Sequence, residues 1–373
     1  MKFKSISARN KRTGWNIENI QFNPMLTLLV GASGVGKTKV LNVIKTLTRI
    51  AKGESFNGLE WRVEFEQNGH DYVWEGEFDI KEELDQTVLK DLEARTEEAF
   101  IKRELVSDNG EIIVNRTSQT IVFKKKKLVK LDNTKSVLEL LKEESLINPI
   151  HKGFQQSYDL DSSENLLHIS PIIDISKRPL DLMLIKALKV FSPIERLFLL
   201  HEKGIKEFDI ICQKFKDIFT NVETIDFTLA KGLKGLLFPI LRIKERNNPT
   251  WIEQMEISSG MFRTLVQITT IVLADDGDVI MIDEFENGLG VNCINELADL
   301  IMEPEANIQV VMTSHHPYII NAIPVKDWKI LTRNGSDVHV HTAEELHIGE
   351  HSKHEAFMQL LQTPEYKTGL NRN

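Results

Sequence analysis

Gly31-Ala-Ser-Gly-Val-Gly36-Lys37-Thr38 decides the fold of this chain. The stretch spells G-x-x-x-x-G-K-T, a phosphate-binding loop, and it stands in the context that such a loop needs. Leu26-Thr-Leu-Leu-Val30 before it is apolar and reads as a buried strand, and Lys39–Leu47 after it repeats apolar residues at helical spacing. Gly31, Gly34 and Gly36, with Ala32, Ser33 and Val35 between them, let the main chain wrap closely around a phosphate chain. The helix that follows points its free N–H groups and positive dipole end at the anion. Lys37 adds a fixed positive charge for the β- and γ-phosphates, and the Thr38 hydroxyl suits Mg²⁺.

The bulk numbers frame that motif. A length of 373 residues suggests two to three domains, and one domain with a large insertion fits equally well. No apolar run reaches the length of a membrane span, and Met1-Lys-Phe-Lys-Ser-Ile-Ser reads as a strand, not a signal peptide. Cys212 and Cys293 alone give no disulfide framework and read as reduced thiols of a cytoplasmic protein. A net charge of −9 argues against a surface that is basic throughout but leaves room for a local basic groove.

Residues 1–50 read as strand, strand, P-loop and helix. Trp61–Glu66 and Tyr72–Phe78 alternate about Asn68-Gly69, a hairpin signal. From about residue 81 to Leu105 the chain turns charged and helix-forming. A second hairpin is expected from Glu111–Asn115 and Thr120–Phe123, then a helix over Ser136–Leu146. Residues 147–175 look loop-rich, and 178–220 carry Leu, Ile and Phe at helical spacing. A strand follows at Phe238–Ile243, with a turn at Asn247–Thr250 and a resumed strand at Trp251. Thr264–Ala274 and Val291–Met302 read as helices, Val279–Ile282 and Ile308–Met312 as strands, Asp327–Thr342 as a hairpin, and Lys353–Leu361 as a last helix.

Val279-Ile-Met-Ile-Asp283-Glu284 is an apolar strand ending in two carboxylates, the form of a Walker B element. It would fix Asp283 beside the P-loop to hold Mg²⁺ and leave Glu284 to orient or deprotonate the attacking water. Ile257-Ser258-Ser259-Gly260-Met261 precedes a helix; Ser258, Ser259 and Gly260 can present hydroxyl and N–H groups to an anion there, although standing alone they read more simply as a helix cap. Val310-Val-Met-Thr-Ser-His315-His316 sets a histidine at a strand end, where it can contact a γ-phosphate.

In this order, P-loop, Ser-Ser-Gly, Asp-Glu and His resemble the ATP-binding-cassette ATPases, and more closely the AAA-type group that includes the OLD (overcoming lysogenization defect) and SMC ATPases. The resemblance covers residues 1–50 and 250–320 well. It matches the signature to Ile257–Met261, Walker B to Val279–Glu284 and the switch histidine to His315, with His316 second. The run Ile282-Asp-Glu-Phe-Glu-Asn-Gly-Leu-Gly290 is OLD-like; transporter ATPases carry Pro and Thr after the Glu. Gly290 stands where a transporter D-loop has Asp, Met261 replaces a Gln or Glu, and no Q-loop glutamine can be assigned, although Gln155 and Gln156 sit in a loop-rich stretch.

The resemblance implies an α/β ABC-type P-loop ATPase: a mixed sheet with flanking helices, an antiparallel β subdomain and an inserted α+β arm or helical lid. The expected division is 1–80 and 246–373 for the head and 81–245 for the arm. It further implies ATP and Mg²⁺ as ligands, Glu284 and His315 as catalytic groups, and a homodimer or higher homo-oligomer in which two heads sandwich two ATP molecules. Only 57 residues follow His316, too few for the Toprim nuclease of OLD proteins. The expectation is therefore a switch for a separate effector, a nuclease or toxin, in prokaryotic anti-phage defence. Two alternatives stand beside it: a RecF- or SMC-like DNA-repair or chromosome ATPase, and an ATP-dependent scaffold with little hydrolysis.

Other features have plainer readings. Lys124–Lys127 with Lys130 could meet a nucleic-acid backbone, but such a run more often guards an edge strand. His339, His341, His347, His351 and His354 crowd one stretch without a cysteine or firm acidic partner, so coincidence is preferred to a metal site. Glu202, Arg242 and Arg263 are interface candidates only.

Overall fold

The computed structural model describes residues 1–81, 99–129, 131–159, 172–231, 237–349 and 353–370. Its main sheet contains β1 (Lys2–Asn10), β2 (Asn16–Gln21), β3 (Leu26–Val30), β4 (Leu59–Gln67), β5 (His70–Phe78), β6 (Ile101–Asp108), β7 (Glu111–Thr117), β8 (Ile121–Phe123), β9 (Lys126–Lys127) and β10 (Ser157–Asp159). Later in the chain, β14 (Val279–Ile282), β15 (Gln309–Thr313), β16 (Trp328–Asn334) and β17 (Asp337–Thr342) join it. The order is β10-β14-β15-β3-β16-β17-β2-β1-β4-β5-β6-β7-β8-β9, and β11 (Val222–Lys231), β12 (Leu237–Glu245) and β13 (Trp251–Glu253) form a separate small sheet.

β10, β14, β15, β3 and β16 run parallel. Such strands are covered on both faces, which is why β14 is apolar throughout, β3 is apolar but for Thr27, and both are wholly buried. Alternate residues of β3 enter different cores. Leu28 and Val30 join helices 193–203, 207–218, 259–272 and 291–302 on one face; Leu29 joins the P-loop helix and the antiparallel strands on the other. Each such fully buried Leu or Val contributes roughly 1.5–3 kcal/mol.

The Asn68-Gly69 hairpin joins β4 to β5 as expected, with positive φ at both residues. The helical reading toward Leu105 is corrected, because Ile101–Asp108 is a strand; residues 82–98 lie outside the described residues. Its charged residues are cross-strand partners, not a helix face. Lys102 and Arg103 pair with Glu77 of β5 at 3.4 and 3.2 Å, and Asn109-Gly110 turns the chain into β7. Glu104 points inward, accepting from Trp74 Nε1 and Val137 N–H, each at 2.9 Å. Burial pushes its carboxyl upward while those donors hold it down.

The helix expected over Ser136–Leu146 shortens to Val137–Leu140, capped by Ser136. The stretch 147–175, expected to be loop-rich, contains the helix Asn148–Gln155 and β10. Pro149 and Gly153 misled. Pro suits the first turn of a helix, and Gly153 lets that helix approach closely, for a Cβ there would stand 3.0 Å from Gln67 Oε1. Within 81–245, expected in sequence to form an arm, residues 99–245 supply strands β6–β10 of the main sheet and helices that pack on Ser259–Val272.

Candidate nucleotide site

The parallel strands end where the motifs begin. The register pairs Ile282 with Met312 and Thr313 with Leu29, so the C-terminal ends of β14, β15 and β3 lie side by side. In open α/β sheets that edge is where ligands bind. Asp283, Ser314 and Gly31, the first residue of the P-loop, continue from those ends.

The loop's glycines answer local crowding. A Cβ on Gly31 (φ 148°) would lie 2.6 Å from the Leu331 carbonyl oxygen, and one on Gly36 (φ 108°) would lie 2.8 Å from Val338 Cγ2. Lys37 is buried and folds back, donating to the carbonyls of Gly31 and Ala32 at 2.9 Å each. Desolvation lowers its pKa to about 8, against the pull of Asp283, Glu284 and Glu286. Thr38, Ser33 and Gly34 are exposed.

Thr313 organises the Walker B end. Its buried hydroxyl donates to Asp283 Oδ1 at 2.6 Å and accepts the Glu284 N–H at 2.7 Å. Glu284 has a left-handed backbone, φ 45°, which costs a non-glycine residue roughly 1–2 kcal/mol. The Thr313 hydroxyl and the Phe285 N–H bond to the Thr313 carbonyl, at 3.0 Å, hold that turn. The Glu284 side chain is exposed. His315 is half-buried; burial first, then Lys37, lower its pKa, while Glu286, Glu284 and Asp283 oppose. A neutral ring that can donate one N–H is the result near neutral pH. His316 instead caps the helix Pro317–Ala322, accepting from Tyr318 N–H.

Lys37, Asp283, Glu284 and His315 therefore converge. Ser258, Ser259 and Gly260 are arranged differently. Ser258 caps its helix by accepting the Met261 N–H at 3.3 Å, and both serines are exposed. Gly260 faces the loop after Walker B, where a Cβ would stand 2.6 Å from the Gly288 oxygen. Arg263 donates to the Asp283 carbonyl at 3.3 Å, tying this helix to Walker B from behind. Gln155 and Gln156 lie at the opposite edge, since the Gln156 carbonyl accepts from Val279 N–H at the start of β14.

Residues 26–321 match the family described as "AAA domain, putative AbiEii toxin, Type IV TA system". The chain belongs to this AAA family. Among solved structures it is similar to an SMC head bound to the C-winged helix domain of ScpA, at 11% identity and TM-score 0.47, covering 91% of this chain and 97% of that one. It is also similar to the SMC head domain from Thermotoga maritima, at 12% identity and TM-score 0.44, covering 92% and 99%. No curated protein sequence matches.

Several residues of this AAA site escaped the sequence reading. A cavity of about 460 Å³ opens beside Thr38 and Lys39, lined also by Trp15, Asn42, Phe56 and Trp61. Lys39 Nζ lies 5.0 Å from the Trp15 ring centroid. Arg333 Nη1 donates to the Gly34 carbonyl at 3.3 Å. Thr313 carries no sequence signal beyond following an apolar strand, and Glu286 only its place in the OLD-like run after the Asp-Glu pair. Trp15 could have been suspected as an aromatic in the turn between two strands ahead of a P-loop.

Among the described residues no group of His, Cys, Asp and Glu is arranged to hold a metal, and no helix is long and apolar enough to cross a membrane. His341 Nε2 pairs with Thr332 Oγ1 at 3.1 Å. His351 and the His354 side chain lie outside the described residues, as does Lys130.

Proposed function

We propose that this chain is a cytoplasmic ATP-hydrolysing switch. Two copies close on two ATP molecules, and their state is read by a separate effector in prokaryotic anti-phage defence. The observation that carries the reading is the convergence of Lys37, Asp283, Glu284 and His315 on one sheet edge, while Ser258 and Ser259 at their helix end stay exposed.

Lys37 leaves the Gly31 and Ala32 carbonyls for the β- and γ-phosphates, exchanging two neutral acceptors for charged ones. The cavity beside Trp15 has room for the adenine, with Lys39 moving off the ring. Thr38 and Asp283 form the hard-oxygen set that suits Mg²⁺, which would neutralise charge on the β- and γ-oxygens. Glu284, exposed at the strand end, orients the water and takes its proton. His315 donates to the γ-phosphate. Ser258 and Gly260 of the second copy meet that phosphate from the far side, so ATP favours the closed pair more than ADP does.

In the same proposal the segment 81–245, whose described strands β6–β10 share the main sheet with strands of 1–80 and 246–373, carries the partner contacts. The effector in this proposal is a separate protein, a nuclease or toxin; the family description itself names a putative toxin and a type IV TA system.

Solution mass tests the switch. Glu284→Gln is expected to double in mass with ATP and Mg²⁺, but not with ADP or without nucleotide. A mass indifferent to nucleotide overturns the sandwich. Phage plating on cells carrying the gene and its neighbours, wild type against Lys37→Ala, tests the defence role; equal plating ends it.

A further inference from the structure

Glu286 lies two residues beyond the Walker B pair and has no part in the mechanism above. Its carboxylate brackets the loop that leaves β15. Oε2 accepts the Ser314 hydroxyl at 2.7 Å, and Oε1 accepts the main-chain N–H of His315 at 2.7 Å. Ser314 is fully buried and itself accepts the His316 N–H at 3.0 Å. One carboxylate thus holds His315 directly and His316 through a single hydroxyl. Hydrogen bonds to an ionised acceptor are roughly twice as strong as neutral ones, and two on one rigid group fix direction as well as distance.

The turn that carries Glu286 is itself tied down. Asn287 N–H donates to the Glu284 carbonyl at 2.7 Å and Leu289 N–H to the Glu286 carbonyl at 3.1 Å. Phe285, between the two acids, is fully buried. The same turn presents the Gly288 carbonyl to Gly260 of the signature helix. Glu284, the His315 loop and the signature helix therefore meet on one short turn, with Glu286 as its link to the histidine.

We propose that Glu286 is a positioning residue that holds His315 where it can reach the γ-phosphate. Its loss therefore lowers turnover through His315 and leaves ATP binding nearly intact. The proposal rests on the ATPase reading of the same site. A merely structural glutamate would change stability, or kcat and KM together. The bracket predicts a split between them, because its target touches only the terminal phosphate.

The test compares Glu286→Ala, Glu286→Gln and His315→Ala in ATP turnover and in the binding of a non-hydrolysable ATP analogue. Glu286→Ala is expected to lower kcat by about tenfold to a hundredfold, with the analogue's Kd changed by less than about threefold. Glu286→Gln keeps one acceptor for the His315 N–H and turns an amide toward Ser314, so its loss is smaller. The double variant with His315→Ala is expected to be no slower than His315→Ala alone. Wild-type kcat in Glu286→Ala, or additive losses in the double variant, overturns the proposal.

Hydrogen–deuterium exchange over residues 311–320 gives a second readout. The His315 and His316 amides are expected to exchange about tenfold faster in Glu286→Ala; if that variant does not fold, a smaller acceleration of about threefold is expected in Glu286→Gln. Unchanged exchange overturns the bracket. A wild-type chain that does not turn over ATP defeats the ATPase reading alone, and the exchange experiment still decides the bracket.

Discussion

In the proposed switch the P-loop and the Ser258–Gly260 helix end both meet phosphate, yet they are built unlike each other. The P-loop is held by its own chain: Lys37 lies on two loop carbonyls, Gly31 is packed under Leu331, Gly36 under Val338, and a Cβ on Gly369 would stand 2.6 Å from Val35 Cγ1. The helix end is tied to the turn after Walker B through Gly260 against Gly288 and Arg263 on Asp283, while its serines face solvent. A cradle that must enclose a polyphosphate has to be preformed, since its glycine backbone has no side chains to hold it. A helix N-terminus costs little to leave in water and gains only when an anion arrives. The difference teaches which part of the proposed site is complete within one chain and which part the proposal assigns to a second copy.

The largest effect is expected at the preformed end. Glu284→Gln keeps the shape and loses the base, so turnover falls by about 10²–10⁴-fold while ATP still binds; a single-turnover assay reads it, and an unchanged rate removes Glu284 from the chemistry. Lys37→Ala comes next. Losing a charge-assisted contact of about 1.5–3 kcal/mol weakens ATP by roughly ten- to a hundredfold, measured by calorimetry. If affinity holds, the folded-back lysine never leaves its carbonyls.

The pH dependence follows the same lysine. Its ammonium, with a pKa of about 8, is charged at pH 7 and mostly neutral at pH 9, whereas bound polyphosphate keeps it charged. ATP binding therefore takes up a proton above pH 8, and Kd rises by up to about tenfold from pH 7 to 9. Lys37→Ala should flatten that slope. Calorimetry in two buffers of different ionisation enthalpy checks it, and a slope that survives the mutation points to another group.

Gly260→Ala sharpens the comparison from the other end. Its Cβ meets the Gly288 oxygen, so the helix end must shift, at about 1–3 kcal/mol. ATP affinity of the single chain should barely move, while the nucleotide-dependent mass increase is lost. If affinity falls as much as dimerisation, the two ends are not separable.

Local pattern made the phosphate machinery readable. A buried strand, a glycine loop and an amphipathic helix are short-range features, and so are Val279–Glu284 and the Asn334-Gly335 hairpin. What stayed hidden depends on neighbours far along the chain. Ile101–Asp108 looks helical until Glu77 of β5 stands beside Lys102 and Arg103. β10 is too short to show periodicity and exists because β14 offers it an edge. Thr313 and Glu286 are ordinary residues in the sequence, and only the adjacency of β14 and β15 turns them toward Asp283 and His315.

By itself, then, the sequence determined the α/β class, the loop that would face phosphate and the order of the carboxylates, because each is written in residues within a few positions of one another. The tertiary structure decided which of two adjacent histidines caps a helix, where Lys37 rests, what Glu286 holds and which phosphate-facing end is left open. Those outcomes follow from hydrogen bonds and excluded volume between strands distant in sequence, and their partners are chosen only when the sheet assembles.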